Sequence, residues 1–530
     1  MIGFHIDMNV AQFRGEYLEK WLQDLALKGY DTILWEVENN VTWETCPECV
    51  SPDAFSKKEF KRILALCRNL GMEPVPLLQT IGHSEYVLKH RKYAHLSEIE
   101  GDIGQYCPRN EELVPFLKEW EKEYLGVFGD VQYFHLGADE AWQLGKCDRC
   151  REYVEKHSLS ELYIEHMNAV CEPVIDRGVT PIIWADMLLT HPEALEKMSR
   201  KVMLFDWRYS LYHGMGAVAV WGRGHYLKKD TPPEVMDEYG RYLYPMGDER
   251  GREPDPFYTA DYLADNGFQV VGCPAASSAG DTVFTPMNWL HMINTYDWTH
   301  KGRSKNLHGS MLTSWTVRLV PWELQLAAID LPGFVYKHPE RSIASYQRFF
   351  MENRFGVDDD GFWLACGRLA NKCLFMDAHD LGFDKACLPP PEDQVEKRLA
   401  KVTADEHLDL ELDTASKRLD EYRQAKDFFE SFAGRIEKGR DIIALWDLAA
   451  RNLINRAEAD IFLLSHKKAE VEKGSCTPPS KEEGAGILKR MKALRAETTR
   501  MYSESVKPTR RDEIISWIYD RVEGAISKLT

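Results

Sequence analysis

The 530-residue chain has no apolar run of the roughly 18 residues needed to cross a bilayer, so no membrane partner is expected. It also lacks a surplus of positive charge. Lys and Arg number 66 against 84 Asp and Glu, a formal charge of −18, and this counts against non-specific nucleic-acid binding, which needs a basic footprint. The first ten residues have no basic segment, apolar segment or small-residue cleavage site, so the expectation is a soluble, cytoplasmic chain, with an already removed signal as the alternative. No internal repeat is evident. No Gly-rich phosphate turn follows the first strand-like run, where the sequence reads on from Asn9 to Tyr17, and this argues against a doubly wound nucleotide-binding sheet.

What is present is an ordinary globular composition, 44% hydrophobic and 28% charged, which can bury a large core. Aromatics are plentiful, with 15 Trp, 23 Tyr and 22 Phe; sugar-binding clefts use such residues, but so does any large core. Eight strand-length apolar runs punctuate the first part of the chain: Ile2–Met8, Thr32–Val37, Glu73–Leu78, Val131–Leu136, Thr180–Trp184, Lys201–Asp206, Gln269–Cys273 and Leu307–Ser314. Amphipathic helical patterns lie between several of them, at Glu16–Lys28, Ser56–Leu70, Leu113–Leu125 and Ser160–Arg177; the first, second and fourth run into a Gly. Strand and helix alternating in this way predict an α/β fold, a (β/α)8 TIM barrel, over residues 1–339. Beyond it, after a helix at Ser342–Arg354 and a Pro-rich break at residues 388–392, the chain is charged, Leu- and Ala-rich and helical in period, so residues 340–530 are expected to form an appended C-terminal helical region. Its stripe of Met491, Leu494 and Met501 suits packing on the barrel or a homodimer face.

The sharpest chemical feature closes the fourth run: His135-Leu-Gly137-Ala-Asp139-Glu140. It falls at the C-terminal end of a barrel strand, the face where barrel active sites lie. Neighbouring residues on a strand point to opposite sides, so both acids share one pocket only if the backbone leaves strand geometry at Ala138–Glu140, which Gly137 permits. Two carboxylates held together push their proton affinities apart, which suits general acid chemistry. The structural alternative is a pair of acids complementing a helix dipole.

This segment resembles the signature of the family 20 glycoside hydrolases, the β-N-acetylhexosaminidases. Leu78–Glu85, Ile33–Asn39, Trp184–Met187 and Thr313–Trp315 with Trp322-Glu323 resemble further strand motifs of the hexosaminidase D-like branch, in the right order, over roughly residues 1–335. The resemblance implies an exo-acting enzyme that removes terminal β-linked GlcNAc or GalNAc from a glycan or glycoconjugate with retention. The 2-acetamido group of the substrate is then the nucleophile, an oxazolinium ion the intermediate, and no cofactor is needed for catalysis. It implies Glu140 as general acid and base, Asp139 as partner of the acetamido group and His83 in a relay behind the acid. It also points to His135, Trp184, Trp207 and Trp315 around the sugar, and to Glu323 as an acceptor of sugar hydroxyls. Asp7 and Asp186 end strands one and five, where each could bind a hydroxyl or brace a loop.

Two departures from the family pattern stand out. Where many members carry an Arg after the first-strand Asp, this chain has Met8-Asn9-Val10, and Arg14 comes late. Where many carry a Tyr-x-Asp after strand seven, it reads from Gly272 to Asp281 without a Tyr, and Tyr209 is the substitute candidate. Both bear on hydroxyl recognition and on the choice between GlcNAc and GalNAc. They keep open a carbohydrate-binding barrel without catalysis. A chitinase-like reading lacks its D-x-x-D-x-D-x-E pattern.

A second constellation is the pair of C-x-x-C motifs, Cys46/Cys49 and Cys147/Cys150. Both lie in loops on the same face of the expected barrel, and together they make a four-cysteine pattern for structural zinc. Four free thiols or a disulfide are the alternatives, and the other cysteines read as small core residues.

Overall fold

In the computed structural model, which describes residues 1–245, 253–377, 391–473 and 476–530, each of the eight expected runs forms a strand. We number them β1 (Ile2–Asp7), β2 (Thr32–Glu36), β3 (Glu73–Leu77), β4 (Tyr133–His135), β5 (Thr180–Trp184), β6 (Met203–Trp207), β7 (Gln269–Cys273) and β8 (Ser310–Ser314). Each pairs in parallel with the next, from Gly3↔Thr32 between β1 and β2 to Ser310↔Gly272 between β8 and β7. β8 then returns to β1 through Ile2↔Ser310 and Phe4↔Leu312, closing the barrel.

Alternation along the strands builds two cores. Leu34, Val75, Leu77, Ile182, Trp184, Met203, Phe205, Val271, Cys273 and Met311 form one buried cluster, which fills the barrel interior. Their outward neighbours Ile33, Ile183, Leu204, Val270 and Leu312 join the larger cluster under the surrounding helices. Burial on both faces is why these strands read as continuous apolar runs.

Helices follow the strands much as the periodicity predicts. Gly15–Lys28 ends at Gly29, whose φ of 95° takes the left-handed cap that a side chain would resist. Lys57–Asn69 starts with a capping box between Ser56 and Glu59. Leu113–Phe128 and Leu159–Asp176 are the next two.

Two features depart from the expectation. β4 stops at His135, short of the predicted Leu136, because Gly137 and Ala138 adopt φ of 62° and 85°. The connection from β6 to β7 carries an antiparallel hairpin, Ala217–Val220 with Gly224–Leu227, and an extra helix at Pro233–Leu243.

The C-terminal region is helical as expected. Among the described residues its longer helices are Leu408–Ala433, Arg440–Val471, Lys481–Ser505 and Pro508–Ser527. Met491 and Leu494 are buried within it and Met501 packs against its core. Residues 388–390 of the Pro-rich break lie outside the described residues. The region grips the barrel beside the ends of β1 and β8. The Arg14 N–H donates to the Ser505 carbonyl at 2.8 Å, the Lys507 N–H to Gln12 at 2.7 Å, and Tyr502 Oη to the carbonyl of Leu319. None of the helices among the described residues is long and apolar enough to cross a membrane.

Candidate active site

The C-terminal ends of the strands open into a cleft of about 560 Å³ that is continuous with solvent. Asp139, Glu140 and His83 line one side. Trp207, Tyr209 and Trp315 form aromatic walls, and Ser278, Ala279, Val317 and Arg318 complete it.

The acid pair shares this cleft because the chain leaves strand geometry where the sequence requires it to. Gly137, Ala138 and Glu140 all have left-handed φ, of 62°, 85° and 50°. Gly137 suits its position, since its φ of 62° strains other residues and a Cβ there would displace the Gln79 side chain. Ala138 is held by Tyr163, whose Oη donates to its carbonyl at 2.8 Å. Glu140 is held by Asp186, whose Oδ2 accepts its N–H at 3.0 Å. On the facing loop after β3, a Cβ on Gly82 would overlap the Asp139 carbonyl oxygen, so only glycine lets the two loops meet.

His83, itself left-handed at φ 53°, follows directly. Its Nε2 lies 3.1 Å from Asp139 Oδ2 and 3.2 Å from Glu140 Oε2. The Asp139 side chain is 7% exposed and that of Glu140 39%, so one acid is enclosed and its neighbour faces solvent. That asymmetry suits a carboxylate that grips a substrate group beside one that exchanges protons.

Trp207 stacks on Tyr209 with ring centres 5.0 Å apart and meets Trp221 of the hairpin edge-on. Burial holds the Tyr209 phenol well above its ordinary range, so at neutral pH it keeps its proton and can donate a hydrogen bond. The loop after β7 is pinned by Asp281. Its carboxylate accepts from the Ser278 N–H at 3.1 Å and from the Met287 N–H at 2.8 Å, and it lies 2.8 Å from His291 Nε2.

Five residues expected around the sugar do not line the cleft. His135 is fully buried one layer down, its ring 4.5 Å from that of Trp184. Burial lowers its pKa to about 3, and Nδ1 accepts the Gly137 N–H at 3.0 Å, so the neutral ring props the turn rather than touching a ligand. Trp184, also fully buried, lies between His135 and Trp315 as part of the floor. Asp7 braces a loop: Oδ2 accepts from the Thr316 N–H at 2.8 Å and Oδ1 from the Asn9 N–H at 2.8 Å. Asp186 supports Glu140 and lies within reach of Trp207 Nε1 at 3.4 Å. Burial, reinforced by Asp139 and then by Glu140, holds its carboxyl well above the usual carboxylate range. Glu323 turns away to helix Gly15–Lys28, accepting from Tyr17 Oη at 3.2 Å.

The strand ends thus bring together His83, Asp139, Glu140, Trp207, Tyr209 and Trp315, and add Arg318, which the sequence reading missed. Arg318 sits in a single 3-10 turn that ends at left-handed Leu319, so no periodic signal marks it. Its guanidinium is 3.7 Å from Asp377.

Residues 31–227 match the model of the glycosyl hydrolase family 20 catalytic domain. That segment is similar to a family 20 catalytic domain. It contains the acid pair, His83 and the walls Trp207 and Tyr209. Hexosaminidase D of Bos taurus is 31% identical over 213 residues, 39% of this chain and 62% of that protein. Hexosaminidase D of Homo sapiens is 32% identical over 194 residues, 36% of this chain and 40% of that protein. The aligned stretch thus spans less than two thirds of either relative. Among solved structures, the β-N-acetylhexosaminidase of Bacteroides fragilis is similar at a TM-score of 0.44 and 15% identity, over 64% of this chain and 69% of that one.

The expected group of four cysteines does not assemble. Cys46 and Cys49 form a disulfide with each other. Cys147 and Cys150 instead approach Cys107 and Glu98, neither of which the spacing of C-x-x-C pairs could reveal.

Proposed function

We propose that the chain is an exo-acting β-N-acetylhexosaminidase that removes a terminal β-linked GlcNAc or GalNAc with retention, using the 2-acetamido group of the substrate as nucleophile. The observation that carries this reading is the turning of two consecutive acids, Asp139 and Glu140, into one aromatic-walled cleft by left-handed backbone on either side of Asp139.

The chemistry follows from their positions. The acetamido oxygen attacks C1 as the glycosidic C1–O bond breaks, and Glu140, the more exposed acid, gives its proton to the departing oxygen. Asp139, enclosed beside it, accepts the acetamido N–H and balances the positive charge of the oxazolinium ion. Water then attacks C1, Glu140 takes its proton, and the bond from C1 to the acetamido oxygen breaks, leaving the β-hemiacetal. His83 bridges both carboxylates and fixes their separation. Trp207 and Trp315 present flat faces to the sugar, and Tyr209 is placed to donate to the acetamido oxygen. Arg318 offers donors to sugar hydroxyls in place of the Arg missing after β1. Arg318 and Tyr209 also weaken the case for a non-catalytic sugar-binding barrel, which rested on those two missing groups. No step calls for a cofactor.

The test is hydrolysis of 4-nitrophenyl β-GlcNAc and β-GalNAc beside the plain β-glucoside and β-galactoside. Turnover confined to the N-acetyl sugars is expected, falling roughly 10²- to 10⁴-fold in Glu140→Gln. Equal turnover of the plain glycosides, or an active Glu140→Gln, refutes the mechanism. Glycan binding without turnover of any substrate points to the binding barrel instead.

A further inference from the structure

We propose that Glu98, Cys107, Cys147 and Cys150 form a structural zinc site that staples the two loops carrying the acid pair and its histidine. One ligand atom from each of the four residues lies within 4.8 Å of every other, and three of the four residues are buried. Cys107 Sγ is 3.5 Å from Cys147 Sγ and 3.7 Å from Cys150 Sγ, and Cys150 Sγ is 3.2 Å from Glu98 Oε2. A tetrahedral zinc ion with bonds of roughly 2.3 Å to sulfur and 2.0 Å to oxygen sets sulfurs about 3.8 Å apart and sulfur from oxygen about 3.5 Å apart. Three of the six edges match that tetrahedron to within about 0.3 Å and the other three are no longer than 4.8 Å, so the ligand atoms need close by no more than about 1.3 Å to hold the ion.

The surroundings are those of a built site. Glu98 Oε1 accepts the N–H groups of Lys146 and Cys147, at 2.8 and 2.9 Å, which orients Oε2 toward the sulfurs. The Cys150 N–H points at Cys147 Sγ, 3.4 Å away, a contact that favours thiolate. Three thiolates and a carboxylate around a dication leave two negative charges, and the Arg149 guanidinium lies 3.7 Å from Cys107 Sγ to offset part of them. Thiolate-rich ligation selects zinc over calcium or magnesium. A disulfide could join only two of these three sulfurs and would leave the third and Glu98 unexplained.

The position gives the site its meaning. Glu98 and Cys107 belong to the connection after β3, which carries Gly82 and His83; Cys147 and Cys150 follow Asp139 and Glu140 in the connection after β4. A metal here fixes the two halves of the acid–histidine cluster relative to one another without touching the substrate.

The experiment is metal analysis of the full chain, purified without chelator and again after incubation with zinc. About one zinc per chain is expected, retained in Cys46→Ser and Cys49→Ser and lost in Cys107→Ser and Cys150→Ser. Cobalt exchanged into the wild-type chain gives a readout that needs no variant to fold, with sulfur-to-metal charge transfer of three-thiolate intensity and the strong visible bands of a tetrahedral ion. Under about 0.2 zinc per chain after incubation, a site lost with Cys46 but not with Cys107, or an octahedral cobalt spectrum overturns the proposal. So does a disulfide from Cys107 to Cys147 or Cys150 in the unreduced protein. None of these readouts depends on glycosidase activity, so the site and the proposed reaction stand or fall separately.

Discussion

Replacing Asp186 by Asn tests whether this acid works on the sugar or on Glu140. Its two carboxylate oxygens face two donors, the Glu140 N–H at 3.0 Å and Trp207 Nε1 at 3.4 Å. An amide keeps one acceptor and sets its NH2 against the other donor, so one contact is kept and the other becomes repulsive. Leaving a buried donor unsatisfied costs roughly 1–3 kcal/mol, and the same energy lost from the geometry of Glu140 lowers kcat by roughly 5- to 150-fold. Glu140 sits at φ 50°, a conformation it does not hold without support, so the loss falls on the acid and not on substrate affinity. Burial and the two neighbouring acids already disfavour the charged Asp186, so removing the charge costs little stability and the melting temperature is expected to hold. Steady-state kinetics on an aryl β-GlcNAc substrate separate the cases. A fall in kcat at near-constant KM supports positioning; a rise in KM with kcat within about threefold of wild type refutes it and returns Asp186 to direct hydroxyl binding.

Arg318→Ala is expected to raise KM for aryl N-acetylhexosaminides about tenfold or more with a smaller change in kcat, since it removes donors from the cleft wall; unchanged kinetics remove Arg318 from sugar recognition. Glu121 on helix Leu113–Phe128 is fully buried, both carboxylate oxygens lack a hydrogen-bond partner among the described residues, and burial raises its pKa from 4.5 to about 8. The unfolded chain therefore releases this proton near pH 4.5 while the folded chain keeps it to about 8, so stability is full below the lower value and falls as pH rises through the interval, by at most roughly 5 kcal/mol at about 1.4 kcal/mol per pH unit. Glu121→Gln is expected to flatten that slope in denaturant titrations at pH 5, 6.5 and 8; an unchanged slope refutes the assignment.

How much the sequence disclosed follows from what periodicity can encode. Strands buried on both faces read as apolar runs, and all eight were legible. So was the departure from strand geometry at Ala138–Glu140, because two adjacent acids cannot share a pocket on a regular strand; the earlier stop of β4 at His135 was not. Depth within the barrel was not legible. His135, Trp184 and Asp186 sit on or just after correct strands, but whether a side chain reaches the cleft or lies a layer beneath it depends on strand stagger and on which backbone N–H groups need an acceptor. Asp7 shows this directly: Thr316, far away in sequence, claims its carboxylate. The proposed metal ligands differ from the expected four cysteines for a related reason. The C-x-x-C pattern drew attention to Cys46 and Cys49, whereas Cys107 stands alone in sequence and joins Cys147 and Cys150 only through the fold.

The same contact between loops yields the most demanding prediction. Gly82 sits where a Cβ would overlap the Asp139 carbonyl oxygen, a backbone atom that cannot swing aside as a side chain can. Gly82→Ala therefore forces the β3 and β4 loops apart and carries His83 away from the two carboxylates it now meets at 3.1 and 3.2 Å. A displacement approaching 1 Å at a catalytic group costs roughly 10²-fold in rate, and that is the loss expected in kcat. Gly126→Ala is the matched control. It lies in helix Leu113–Phe128 with nothing within 4 Å of its added Cβ, so it is expected to raise stability by about 0.5–1 kcal/mol and leave kinetics unchanged. If Gly82→Ala retained near wild-type kcat, the loops would have enough slack to absorb a methyl group. The left-handed cluster at His83, Gly137, Ala138 and Glu140 would then be incidental to the turn and not the device that holds two acids to one substrate.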